Sequence, residues 1–167
     1  VMALLANAMR SAANRPDPIS ITLHYLAPLP PGDFEIITQV VKQGRRFTTV
    51  SASMMFGGRE AVRAIGAFSE APSLDSGIQH HGTPLSDVPS FEECKRRTPE
   101  GENIPLALMS KLDLRLHPED RGFAIGKPTG FPRIRGWFAF ADNRPNDTLS
   151  VLLAADAFPP PVFNLLA

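Results

Sequence analysis

The chain has 167 residues, 43% apolar and 20% charged, and its 17 basic and 17 acidic side chains leave no net charge. That balance fits a folded domain or two and excludes the broad basic face that duplex nucleic acid selects, so no nucleic-acid partner is expected. A lone cysteine, Cys94, excludes an internal disulfide framework and makes the reducing cytoplasm the expected compartment.

Val1 to Ala13 predicts a helix. Met2, Leu5 and Met9 recur at helical spacing, with Ala3, Ala6, Ala8, Ala12 and Ala13 between them. Small residues on an apolar helix let it lie close against a sheet. The segment is too short to span a bilayer. It has no basic region ahead of it and runs straight into strand pattern, unlike a signal peptide. The pattern starts without an N-cap residue, and the chain stops inside the apolar run 161–167. An interior piece of a longer polypeptide is therefore expected.

A four-stranded meander follows. Ile19, Ile21, Leu23 and Tyr25 alternate with Ser20, Thr22 and His24, the period-two sign of a strand with one buried face. Pro28, Pro30 and Pro31 break the pattern, because proline donates no N–H to a ladder. Strand character resumes over Phe34–Lys42, turns at Gln43–Arg45 and continues over Phe47–Phe56. Gly57–Gly58 supplies the backbone of a two-residue hairpin loop, and Glu60–Phe68 returns.

Residues 71–105 carry Pro72, Pro84, Pro89, Pro99 and Pro105 with little periodicity, and read as a connector. His80 and His81 inside it lack a third ligand at metal spacing, so no metal site is expected. Beyond it, Leu106–Leu116 alternates as a strand and 122–132 is turn-rich. Ile134–Asp142 is a strand with bulky aromatics. Asn146 or Asp147 can cap a second helix over Thr148–Ala157. The expected organisation is 1–70 as a first helix-and-meander unit, 71–105 as linker, and 106–167 as the start of a second such unit.

The ordered set Ile21–Pro28, Gly44–Phe47, Gly57–Glu60 and Ala67–Pro72, followed by Gly136–Phe138 and Leu152–Asp156, resembles the double hot-dog acyl-CoA thioesterases of the acyl-CoA thioesterase II type. The resemblance implies an α+β hot-dog fold, an antiparallel sheet wrapped around a central helix, here with the second unit incomplete. It implies hydrolysis of an acyl-CoA thioester by an oriented water, with no cofactor, since coenzyme A is part of the substrate. The family's water-orienting Asp maps onto Asp156. Its Thr or Ser and its Gln would lie past Ala167. Their first-unit counterparts would fall near Pro18 and Gly66, which offer no useful polar side chain.

Read without the resemblance, Asp156 lies between Ala155 and Ala157 on an apolar helix, just ahead of Phe158–Pro161. A carboxylate there is either exposed at a helix end or buried for a purpose. Coenzyme A carries phosphates, so cations should line its approach. Arg45 and Arg46 flank one turn near Lys42, while Arg133 and Arg135 precede Trp137. Solvated turn charges are the plainer account of these arginines. Met54 can line an acyl pocket or simply fill the core. Two other functions stay open: a non-catalytic acyl-CoA-binding or structural hot-dog unit, and a hot-dog hydratase or dehydratase. No His lies beside Asp156, which disfavours the last. An open sheet edge makes homo-oligomer assembly an expectation.

Overall fold

The structure, a computed structural model, describes residues 1–70, 87–97 and 107–166. They form two compact units, 1–70 with 148–153, and 87–97 with 107–147 and 154–166.

In the first unit, α1 (Met2–Ala13) buries Leu5, Ala6, Met9 and Ala13. It ends at Asn14, whose left-handed backbone sends its N–H back to Ser11, while the Arg15 N–H reaches the Arg10 carbonyl. Four antiparallel strands follow: β1 (Asp17–Tyr25), β2 (Glu35–Gln43), β3 (Thr48–Phe56) and β4 (Arg59–Ser69). They lie in the order β1-β4-β3-β2, so only β2, β3 and β4 form the expected meander, and β1 pairs with β4 because the proline-rich connection after it carries the chain across to the far edge. Val50, Ala52 and Met54 from β3 and Val62, Ala64 and Phe68 from β4 face Leu5, Met9 and Ala13 of the helix. Each fully buried large side chain here contributes about 1.5–3 kcal/mol of transfer free energy. Burial alternates along β3 from Thr48 to Met54.

The alternation predicted for β1 holds only in part. Ile21 and Leu23 pack on the core, whereas Ile19 is 51% and Tyr25 56% exposed. The register shifts between Pro18 and Ser20, so Ile19 is an extra residue without a partner on β4. Gly57 and Gly58 take φ of 55° and 76°, the conformation of a type I′ hairpin turn. A second register shift sets Met54 opposite Val62 but Met55 opposite Glu60, leaving Ala61 as the extra residue. The Ala61 carbonyl accepts the N–H groups of Leu26 and Ala27, which ties down the chain leaving β1.

The second unit holds a small sheet ordered β5-β6-β7: β5 (Lys95–Arg96), β6 (Leu112–Leu116) and β7 (Gly136–Phe140). Leu112, Leu114 and Leu116 are buried, as their spacing predicts. The strand expected from Leu106 begins late, because Ala107–Lys111 is a 3₁₀ turn. A second 3₁₀ helix, Pro118–Ile125, occupies part of the turn-rich stretch, and a third is Pro161–Asn164. Gly136 pairs with Leu116, and a side chain there would collide with the Arg115 carbonyl. Helix α2 (Thr148–Ala157) matches its predicted span.

Residues 87–97, expected within a connector, are docked on this sheet. The Arg97 N–H donates to the Leu114 carbonyl, and Cys94 is buried. Burial pushes the Cys94 thiol pKa up, Glu93 adds to that, and Arg115 and Arg135 oppose it. His80 and His81 lie outside the described residues.

Candidate functional site

Asp156 stands in the last turn of α2, exposed like Ala155, with buried Ala157 and Pro159 after it. The helix therefore ends with its carboxylate open to solvent, next to a segment that turns inward. At the other end of the helix, the Thr148 hydroxyl donates to Asp17 Oδ1 at 2.9 Å, within the first unit.

The densest polar cluster among the described residues lies elsewhere, in the second unit. Asp120 is 2% exposed. Its carboxylate accepts from the Arg135 backbone N–H at 2.9 Å, from Arg135 Nε at 2.9 Å and from Arg133 Nε at 3.4 Å. Burial pushes the Asp120 pKa up, but the hydrogen bond and charge of Arg135, with those of Arg133, outweigh it and hold the carboxyl below its usual range. Glu119 Oε2 accepts from Arg135 Nη2 at 3.0 Å and Arg133 Nη2 at 3.3 Å. His117 Nδ1 accepts the Glu119 N–H at 3.1 Å and so caps the 3₁₀ helix. Asn164, fully buried, donates to the carbonyls of Asp120 and Arg133.

His117, Glu119 and Asp120 bring their ligand atoms within 4.8 Å of one another. The donor set alone would suit a cation. Two guanidiniums already supply that charge, so the cluster is a fold-holding network rather than a metal cradle. Its sequence trace was faint. Pro118, Glu119 and Asp120 after a capping residue have the form of a helix start, but nothing local shows that Asp120 is buried against arginines 13 and 15 residues away.

The remaining predicted residues separate. Arg135, weighed as a cation for phosphate, is committed to Asp120, Glu119 and the Asp87 carbonyl. Trp137 is 43% exposed and its indole N–H donates to the Pro89 carbonyl at 2.8 Å. Arg115, which the sequence did not single out, stacks on Phe91 at 3.9 Å, donates to its carbonyl and pairs with Asp113. Met54 is 1% exposed, sealed under α1. Arg45 and Arg46 are exposed in the β2–β3 turn. Asp156, Trp137, Arg45 and Arg46 therefore form no single cluster within either unit.

A helix packed across an antiparallel sheet is the architecture of the hot-dog proteins. The chain belongs to the acyl-CoA thioesterase family: the acyl-CoA thioesterase N-terminal domain model matches residues 1–69 and the C-terminal domain model matches residues 86–167. A candidate thioesterase II of Thermobifida fusca superposes over 99% of this chain and 61% of its own, with a TM-score of 0.83 at 24% identity. A hot-dog protein of unknown function from Alicyclobacillus acidocaldarius gives 0.80 at 22% identity over 98% of this chain and 60% of its own. The acyl-CoA thioesterase II TesB2 of Mycobacterium marinum gives 0.52 at 18% over 98% and 56%. These three likenesses show the fold. An uncharacterized protein of Mycobacterium tuberculosis is 31% identical over 113 residues, 60% of this chain and 39% of its own length. The chain thus spans well under two thirds of the curated relatives it matches.

Proposed function

We propose that the protein containing this chain hydrolyses acyl-CoA to a free acid and coenzyme A, with Asp156 orienting the attacking water. The carrying observation is that two consecutive thioesterase domain models tile the chain in order, and the second ends across α2 and Asp156. In this reading Asp156 takes a proton from water as the oxygen bonds to the thioester carbon. The carbon–sulfur bond then breaks and the departing sulfur receives a proton. A positioned base supplies about 10²–10⁴-fold, so contacts to the thioester carbonyl must supply the rest. No cofactor takes part.

The exposure of Asp156 favours a second reading, a non-catalytic acyl-CoA-binding unit. Hydrolysis needs water-excluding surface around the end of α2 that these residues do not furnish. Arg45, Arg46 and Trp137 are proposed substrate contacts, and Met54 a residue behind the acyl site. Among the described residues no helix is long and apolar enough to cross a membrane. We place the protein in the cytoplasm as a homo-oligomer. Edge strand β2, with Ile37, Val40 and Val41 about half exposed, is the surface that assembly would cover.

The test is Asp156→Asn in the intact protein, followed by thiol release from a panel of acyl-CoAs. Loss of turnover by about 10²-fold or more, with an unchanged unfolding midpoint, is the expected result. Unchanged turnover rejects Asp156. Binding of acyl-CoA without turnover in the unmutated protein selects the second reading.

A further inference from the structure

We infer that the end of the first unit at the C-terminus of α1 is a phosphate-binding subsite, formed by Arg10 and Arg15 together with Arg45 and Arg46. The inference rests on the acyl-CoA reading and deepens it, by naming where the phosphates of the ligand lie.

A cleft of about 390 Å³ is lined by Arg10, Ser11, Asn14, Arg15 and Pro16. Arg15 Nη2 donates to the Arg45 carbonyl at 3.0 Å, which joins the cleft to the β2–β3 turn. That turn is closed by the Gly44 N–H on the Phe47 carbonyl at 2.8 Å, so Arg45 and Arg46 are its two central residues. The Arg46 carbonyl accepts from Ser69 Oγ at 2.7 Å, and Ser69 pairs with Asp17 at the start of β1. Three connections therefore converge on one end of the sheet, and they hold the backbone of the turn that carries Arg45 and Arg46 against Arg15, which shares the cleft with Arg10.

Among the described residues none of these four guanidiniums is in an ion pair. The chain as a whole is neutral. Four other arginines are compensated: Arg63 pairs with Glu60, Arg115 with Asp113, and Arg133 and Arg135 with Asp120. Among the described residues, Arg10, Arg45 and Arg46 have no side-chain hydrogen bond or ion pair, and Arg15 has only its bond to a carbonyl. Guanidinium matches a phosphate in a planar fork of two N–H donors, and it stays charged at every working pH.

A helix C-terminus ordinarily repels an anion. Here part of that negative end is already covered. The carbonyls of Arg10 and Ser11 accept from the Arg15 and Asn14 N–H groups, and the Asn7 carbonyl accepts from Ser11 Oγ. Arg10, in the last turn, offsets the dipole further. Ser11 and Asn14 add polar lining. The ligand chemistry that fits is a phosphomonoester or diphosphate on a soluble carrier. Coenzyme A presents both, and free pyrophosphate presents the second alone.

The test is calorimetric titration of the full chain with coenzyme A, dephospho-coenzyme A and pyrophosphate, in the parent and in two double variants. Arg10→Gln/Arg46→Gln removes two guanidiniums that hold nothing else. Arg15→Gln/Arg45→Gln removes the other two. Each pair should weaken coenzyme A binding by about tenfold or more, as the loss of charge-assisted contacts implies. Added salt should weaken the parent more than the variants. Equal affinity for coenzyme A in the parent and in the folded Arg10→Gln/Arg46→Gln variant overturns the subsite while leaving the thioesterase reading intact. Arginine-dependent pyrophosphate binding without any binding of coenzyme A keeps a phosphate subsite and counts against the acyl-CoA reading. Absence of binding by all three probes overturns the subsite.

Discussion

The first unit is held together by carbon and the second by charge. In the first, one face of α1 lies on one face of a four-stranded sheet, and the shared core is Leu5, Met9, Val50, Met54, Val62 and Phe68. In the second, a three-stranded sheet contributes Leu112, Leu114 and Leu116, while the segments around it are fixed by Asp120, Arg133, Arg135, Arg115 and Asn164. The difference follows from area. A helix laid across a sheet removes enough apolar surface from water to order both. Three short strands do not, so the second unit relies on hydrogen bonds between charged groups, which are directional and demand full pairing.

The largest expected effect separates the two. Phe68 is fully buried in the first unit. Phe68→Ala should cost about 3–5 kcal/mol, because the closed core cannot collapse into the space left behind. Urea unfolding read by circular dichroism checks it. A cost below about 1 kcal/mol would mean that the helix does not seal the sheet as described.

Next comes the charge network. Asp120→Ala takes the acceptor from the Arg135 backbone N–H and from the Nε groups of Arg133 and Arg135, leaving the guanidiniums Glu119 and the Asp87 carbonyl, and should destabilise the second unit by about 3 kcal/mol. The same residue gives a pH test. The folded Asp120 carboxyl titrates below its usual range because the Arg135 bond and the arginine charges outweigh burial. Its stabilisation is then complete above the unfolded value of about 3.9. It is lost as pH falls from there through the lowered folded value. Acid should therefore loosen the second unit while leaving the core around Phe68 intact. Amide-exchange protection that fades first over residues 112–140 on acidification supports this contrast, and simultaneous loss of protection in α1 contradicts it.

The same contrast explains what the sequence disclosed. Helix α1, the existence of the four strands, the Gly57–Gly58 turn and α2 were legible because apolar periodicity and turn chemistry are local, whereas the pairing of β1 with β4 instead of β2 was not. Ile19 misled because a bulge is set by pairing across the sheet, and its alternation with Ile21 looks like any other. Residues 87–97 read as connector because their order comes from Arg115, Arg135 and Trp137, which lie far along the chain. Asp156 was legible as a position but not as an environment. The long-range pairings of Asp120 had no sequence trace beyond a helix-start pattern.

A smaller effect tests the hairpin that shapes the first unit. Gly57 and Gly58 both have positive φ, with open space where a side chain would sit. Gly57→Ala should therefore cost only the backbone penalty, about 1 kcal/mol, with no steric addition. Thermal unfolding of this variant and of Gly58→Ala should give matching small losses.

The smallest effect concerns Trp137, where substrate contact and fold-holding predict different things. The indole N–H bonds the Pro89 carbonyl while the ring is 43% exposed. Trp137→Phe keeps an aromatic ring and removes one hydrogen bond, so the second unit should lose about 1 kcal/mol. If the ring serves only to hold residues 87–91, acyl-CoA affinity should stay level while amide exchange at Ser90 and Phe91 quickens. If the ring also meets the ligand, affinity should fall as well, with the same quickening of exchange. The two measurements together decide whether the polar scaffold of the second unit and its substrate surface share this one side chain.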